Sequence, residues 1–264
     1  MSAENHILLS THALSVDVPG RKLVTALDAS FARGEFVAVL GRNGTGKTLT
    51  LSTLAGLRPA SGGHVALGID KLDTLRRQDV ALRLALLPQS IDDIFPSSVL
   101  DTALIGRHPH IGRLRWETSE DREITLAALR TMDVEDLAAR DILTLSGGER
   151  RRVAVAQLLT QAPDLFLLDE PTNHLDPQHQ LDVLSVFRDK ADAGACVIAS
   201  LHDVNLAARY ADRCLLLYGD GRWELGASDE ILNEERLEAL YGTTMEAVNW
   251  RGGRLFVAAE TARA

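Results

Sequence analysis

Two short stretches of this chain have the residue types and spacing to hold phosphate. Gly41-Arg42-Asn43-Gly44-Thr45-Gly46-Lys47-Thr48 fits the pattern G-x-x-x-x-G-K-[ST], and a hundred residues later LSGGE sets Ser146, Gly147 and Gly148 at the head of a charged, helical run. In the first stretch, glycines let backbone N–H groups close around a β-phosphate, Lys47 neutralises β- and γ-oxygens, and the Thr48 hydroxyl is placed to ligate Mg²⁺. In the second, a hydroxyl and bare backbone N–H groups meet the positive end of a helix dipole, which favours an anion. Average residue frequencies give the first pattern by chance in about one chain per hundred of this length, and LSGGE in fewer than about one in a thousand. Alone, the first pattern says only that a nucleotide binds.

Four further side chains share a position relative to apolar runs. Gln89 follows LALLP, Asp169 and Glu170 follow LFLL, and His202 follows CVIASL. Each run reads as a buried strand, and open parallel sheets bind ligands beyond the carboxyl ends of their strands. Parallel pairing would bring all four residues into the crevice beside Lys47. There Asp169 is suited to hold Mg²⁺ through water, and Glu170 to act as general base on an attacking water. Gln89 can offer its amide oxygen to the metal or to that water, and His202 can donate a hydrogen bond to a γ-phosphate. Asp176-Pro177 has a local role of its own, as N-cap and first residue of the helix QHQLDVLSVF.

The elements that must position these groups follow from the pattern. The run EFVAVL is a central strand, the glycine-rich turn follows it, and a helix is expected over residues 47–55. Further strands are expected at residues 64–67, 84–87, 165–168, 196–200 and 214–218. Between Pro88 and Pro163 the pattern is helical, as in SEDREITLAALRTM with Ser119 as N-cap. This predicts an α/β core formed by residues 1–87 and 164–244, with a helical lobe over 88–163 inserted into it. A helical stretch over 228–241 and a hairpin, MEAVNWRGGRLFVA with its turn at Gly252-Gly253, close the chain in a tail over 245–264.

Composition narrows the class. The chain has 264 residues, 45% apolar and 25% charged, as ordinary globular proteins do. A net charge of −9 argues against broad nucleic-acid binding, which needs a basic surface. Cys196 and Cys214 sit in apolar runs and read as reduced core residues. No apolar run approaches the ~20 residues of a membrane span, and the N-terminal stretch lacks the pattern of a signal peptide. The expectation is a cytosolic protein that reaches a membrane only through a partner.

Taken together and in this order, the glycine-rich cradle, Gln89, LSGGE, LFLLDE and His202 resemble the ATP-binding-cassette ATPases, along nearly the whole chain from about residue 7 to 242. The resemblance implies a P-loop core with an antiparallel β subdomain and a helical lobe that carries LSGGE. It further implies ATP and Mg²⁺ as cofactors and a second copy as partner. Two cassettes pair head to tail, so that Ser146, Gly147 and Gly148 grip the γ-phosphate of the partner's ATP, and Asp176 sits at the seam. One departure concerns adenine. The family places an aromatic residue to stack on the base, and here that position is Val18, with His12 a nearby candidate to compensate. A second is Arg151, where glutamine is common; its run Arg150 to Arg152 reads as a solvated helix face.

The segments IGRHPHIG and TNHLDPQHQ resemble the ATPase subunits of bacterial importers for siderophore-iron, haem and cobalamin. This implies docking of integral membrane permease subunits on the segment from Gln89 to about His110, at the cytoplasmic face of the inner membrane, and an indirect partner in a substrate-binding protein. The alternative is a soluble cassette serving translation or assembly, since TNHLD occurs there too; those usually carry two cassettes in one chain. A P-loop kinase or GTPase has no use for LSGGE.

Overall fold

The continuous apolar runs form a parallel sheet covered on both faces. The computed structural model describes residues 6–90, 95–112, 115–250 and 253–259. In chain order, β1 (Ile7–Val18) and β2 (Arg21–Ala32) form a long antiparallel pair, followed by β3 (Phe36–Leu40) and α1 (Lys47–Leu54). Next come β4 (Gly62–Leu67), β5 (Asp70–Lys71), α2 (Arg77–Arg83) and β6 (Leu84–Leu87). The helices α3 (Val99–Leu104), α4 (Ser119–Thr131) and α5 (Gly147–Gln161) then lead to β7 (Leu165–Asp169). After α6 (Pro177–Asp192) follow β8 (Cys196–Ser200), α7 (Val204–Tyr210), β9 (Arg213–Leu217) and β10 (Trp223–Ala227). The chain continues through α8 (Ser228–Ile231), α9 (Glu234–Tyr241), β11 (Met245–Trp250) and β12 (Gly253–Ala258).

The main sheet has the order β10-β9-β3-β8-β7-β6, parallel throughout except for the edge strand β10. A second, antiparallel sheet runs β2-β1-β4-β5. Alternate residues of the parallel strands serve two separate cores. Phe36, Ala38 and Leu40 pack with Phe166, Leu168 and helices α5 and α6, whereas Val37 and Val39 pack with Leu165, Leu167, α1 and the antiparallel sheet. Burial on both faces explains why these strands read as unbroken apolar runs rather than alternating ones. Both cysteines lie in this interior; burial raises their thiols, Cys214 to about 11, which keeps them protonated and unreactive.

Two local expectations need correction, and one long strand was not foreseen. α4 is capped by Thr118, not Ser119: the Thr118 hydroxyl accepts from the Asp121 backbone N–H while the Asp121 carboxylate accepts from the Thr118 N–H. The reciprocal pair satisfies two donors, which a cap one residue later would not. The stretch 228–241 is two helices, α8 and α9, broken at Leu232 and restarted by the Asn233 cap. Strand β1 has no counterpart in the sequence reading. Its register against β2 slips several times, with Ala13 in the left-handed region, so the period of two is broken. The terminal hairpin pairs Met245 with Ala258 through Trp250 with Gly253; Gly252 of its expected turn lies outside the described residues.

Candidate functional site

Parallel register decides where the chemistry collects. Leu87 pairs with Leu168, Asp169 with Ser200, and Ser200 with Val39, so residues following β3, β6, β7 and β8 emerge along one edge of the sheet. A cleft of about 450 Å³ opens there, lined by Val18, Asn43, Gly44, Gly46, Lys47, Thr48, Gln89, Glu170 and His202, among others. The glycine-rich turn can wrap this tightly only where side chains are absent. A Cβ on Gly41 would sit 2.5 Å from both Leu217 O and Thr45 Oγ1, and Gly46 has φ +102 as it caps α1. Lys47 is buried and donates from Nζ to Gly41 O (2.8 Å) and Arg42 O (3.3 Å). Burial lowers its ammonium from the ordinary value, while the Glu170 and Asp169 carboxylates oppose that shift.

Glu170 is held from four sides. It is buried, with φ +50, a left-handed backbone that costs a non-glycine residue free energy. Its Oε2 accepts from Gln89 Nε2 at 2.9 Å and from Asn173 Nδ2, and its Oε1 lies 2.5 Å from His202 Nε2. Its backbone N–H donates to Ser200 Oγ (2.9 Å), and that hydroxyl donates to Asp169 Oδ1 (2.7 Å). Thr48 Oγ1 reaches Gln89 Oε1 at 3.5 Å. Thus the lysine, the threonine and the four strand-end residues expected together do come together. His202 faces the Glu170 carboxylate.

The second cradle lies elsewhere. Ser146 caps α5, accepting from the Glu149 N–H and donating from Oγ to Glu149 Oε2 (2.7 Å), and Gly147 and Gly148 form its first turn. None of these residues lines the Lys47 cleft; Gly147 borders a different one of about 490 Å³, with Gln89, Ser90, Asn173 and His174. Asp176 caps α6 ahead of Pro177, and its carboxylate accepts from the His179 N–H (3.0 Å). Val18 does line the Lys47 cleft, accompanied by Arg21 and Leu23. His12 does not; it stacks on His64 across β1 and β4, with ring centroids 4.7 Å apart.

The largest correction concerns Arg151. It is 4% exposed, not solvated. Its Nη1 donates to Pro88 O (2.7 Å) and Gln89 O (3.5 Å), its Nη2 to Asp169 O (2.8 Å) and Glu170 O (2.7 Å), and its Nε to Pro171 O (3.2 Å). Arg152 is also largely covered and donates to Met132 O and Asp133 O. Three consecutive helical residues span roughly 200° of the helix circumference, so on a helix packed on two sides they cannot all face water. Ser200 and Asn173 are further site residues that sequence reasoning missed. Ser200 was readable only from the register of β7 against β8.

The ABC transporter family model matches residues 24–173. The chain belongs to the ABC transporter family. Relatives of this ABC ATPase include a hemin import ATP-binding protein of Pseudomonas fluorescens, 42% identical over 241 residues, 89% of this chain and 92% of that protein. A cobalamin import ATP-binding protein of Halobacterium salinarum is 37% identical over 88% of this chain and 58% of its own length. Among solved structures, an inward-facing conformation of a metal-chelate type ABC transporter aligns with TM-score 0.83 and 28% identity, covering 96% of this chain and 98% of that one. The fold is that of the ABC ATPases, and the chain is an ATP-binding ATPase subunit. Among the described residues, no helix is long and apolar enough to cross a membrane.

Proposed function

We propose that this chain is the energy-coupling ATPase of an importer for a metal chelate (siderophore-iron, haem or cobalamin), working as a head-to-tail homodimer at the cytoplasmic face of the plasma membrane. The observation that carries the composite site is the separation of the two cradles: in one chain, the Ser146–Gly148 tip and the Lys47 cleft are different places. Because Ser146, Gly147 and Gly148 do not line the Lys47 cleft of their own chain, a second chain is the proposed source of that tip. Asp176 then belongs to the seam, and a substrate-binding protein acts at one remove through the permease.

Within the cleft, Gly41 to Gly46 and Lys47 bind the β- and γ-phosphates, and Val18 contacts adenine with less stacking than an aromatic ring would give. Glu170, oriented by Gln89, Asn173 and His202, accepts the proton of a water that attacks the γ-phosphorus; the bond to the β-bridging oxygen breaks and ADP and phosphate leave. His202 is within reach to hand a hydrogen bond to the γ-phosphate once that group competes with Glu170. The donor set suits Mg²⁺: Thr48, Gln89 and Asp169 offer few protein oxygens, and this ion retains waters and fills its shell from phosphate. Bound there, it neutralises phosphate charge.

Permease docking on the segment from Gln89 to about His110 is supported by its exposed apolar side chains, Phe95 at 78% and Ile105 at 47% exposure. Residues 91–94 of the expected docking segment lie outside the described ones. In the His108-Pro109-His110 segment, His110 Nε2 lies 2.8 Å from Gln161 O and Pro109 O accepts from Gln78 Nε2, contacts that tie this surface to α5 and α2. Detergent extraction of membranes should bring the chain down with a hydrophobic multi-span protein, and its deletion should abolish uptake of one of these chelates. Purification without any membrane protein, with uptake of all three intact, would favour the soluble translation or assembly role.

A further inference from the structure

Arg151 spends its whole hydrogen-bonding capacity on the two loops that carry the reacting side chains. A guanidinium has five N–H donors in a rigid fork. Here five carbonyl oxygens receive them, those of Pro88, Gln89, Asp169, Glu170 and Pro171. The carbonyls of 169, 170 and 171 are consecutive. In an extending strand successive carbonyls point to opposite sides, so their convergence on one guanidinium requires the left-handed turn at Glu170, φ +50. The strained residue is thus fixed at its oxygen by Arg151 and at its nitrogen by Ser200. The Gln89 backbone is clasped by the same fork, and the Gln89 amide in turn holds the Glu170 carboxylate. Burial lowers the guanidinium to about 10, opposed by the Asp169 and Glu170 charges, so it stays charged at neutral pH.

Arg151 lies in the second turn of α5, whose N-cap is Ser146. We infer that Arg151 is a positioning residue that sets Glu170 and Gln89 from the signature helix of their own chain. The helix whose tip serves the partner's ATP thereby aligns the carboxylate that works on its own. The inference rests on the composite-site reading above. A glutamine here has two N–H donors against the arginine's five, so at least three of these five carbonyls lose this partner and the clasp on both loops is weaker.

A complementing pair tests it. Mixing a Ser146→Arg chain with a Lys47→Ala chain leaves one complete site, made of the first chain's Lys47 cleft and Glu170 and the second chain's Ser146 tip. Arg151→Gln is then added to one chain or the other. Added to the Ser146→Arg chain, it should lower kcat by roughly tenfold or more at an unchanged KM for ATP, as a small misplacement of a reacting group does. Added to the Lys47→Ala chain, it should cost much less, and Arg151→Lys should recover part of the loss. Equal loss in both arms, or a loss in KM alone, would mark a plain structural brace and overturn the inference, as would no loss at all. Binding of a fluorescent ATP analogue identifies a misfolded variant; where Arg151→Gln fails it, the two Arg151→Lys arms decide by the same comparison. An inactive parent pair would instead count against the composite site.

Discussion

The proposed hydrolysis rests its proton transfer on Glu170, a side chain buried among close partners. A carboxylate buried at a strand end needs partners, and it has Gln89, Asn173 and His202. Glu170→Gln should leave ATP binding intact and reduce kcat by about 10²–10⁴-fold, the usual contribution of a general base. It should also accumulate a stable ATP-bound dimer, because nothing then discharges the bound state. Light scattering with Mg-ATP that shows only monomer would contradict this. The meeting of Gln89, Glu170 and His202 beside Lys47 and Thr48 was legible because strand ends announce themselves as the limits of apolar runs, and the glycine-rich turn by its own motif. Arg151 was not. A buried arginine and a solvated one look alike in sequence, and only packing on both sides of α5 distinguishes them.

At the level of elements, α4 shows how a short helix start is tied to the body of the lobe. Asp121 caps α4 together with Thr118 and pairs with Arg107 Nε at 2.8 Å. The Thr118 backbone N–H first, then the Arg107 guanidinium and the Thr118 hydroxyl, pull its carboxyl from 3.8 down to about 2. A carboxyl lowered on folding stabilises the protein above its unfolded value, and that stabilisation fades as pH falls from about 4 toward 2. Asp121→Ala should therefore cost about 1–3 kcal/mol at neutral pH, by loss of the cap and of Arg107's partner. Urea melts should show the gap between variant and wild type narrowing below pH about 4. A gap that is constant with pH would mean the carboxylate's charge contributes nothing. The parallel strands and the helices α1, α4, α5 and α6 were legible in the sequence, whereas the short α2 and α7 were not, nor was β1, whose alternation is scrambled by bulges.

For the whole molecule, the sequence carried the order of motifs and the α/β class, but the spatial separation of the two phosphate cradles required the fold. On the proposed composite-site reading, each chain carries two half-sites and activity belongs to a pair. Linkage is the working principle of that proposal: ATP stabilises the proposed closed pair by touching both faces, and hydrolysis removes that differential affinity. The most direct measurement is ATP turnover by Ser146→Arg and Lys47→Ala chains, separately and mixed. Each alone should be inactive, and the mixture should regain turnover, at most roughly a quarter of the wild-type rate if pairing is random and symmetric. A mixture as inactive as its components, or a Ser146→Arg chain that hydrolyses ATP normally by itself, would contradict the account.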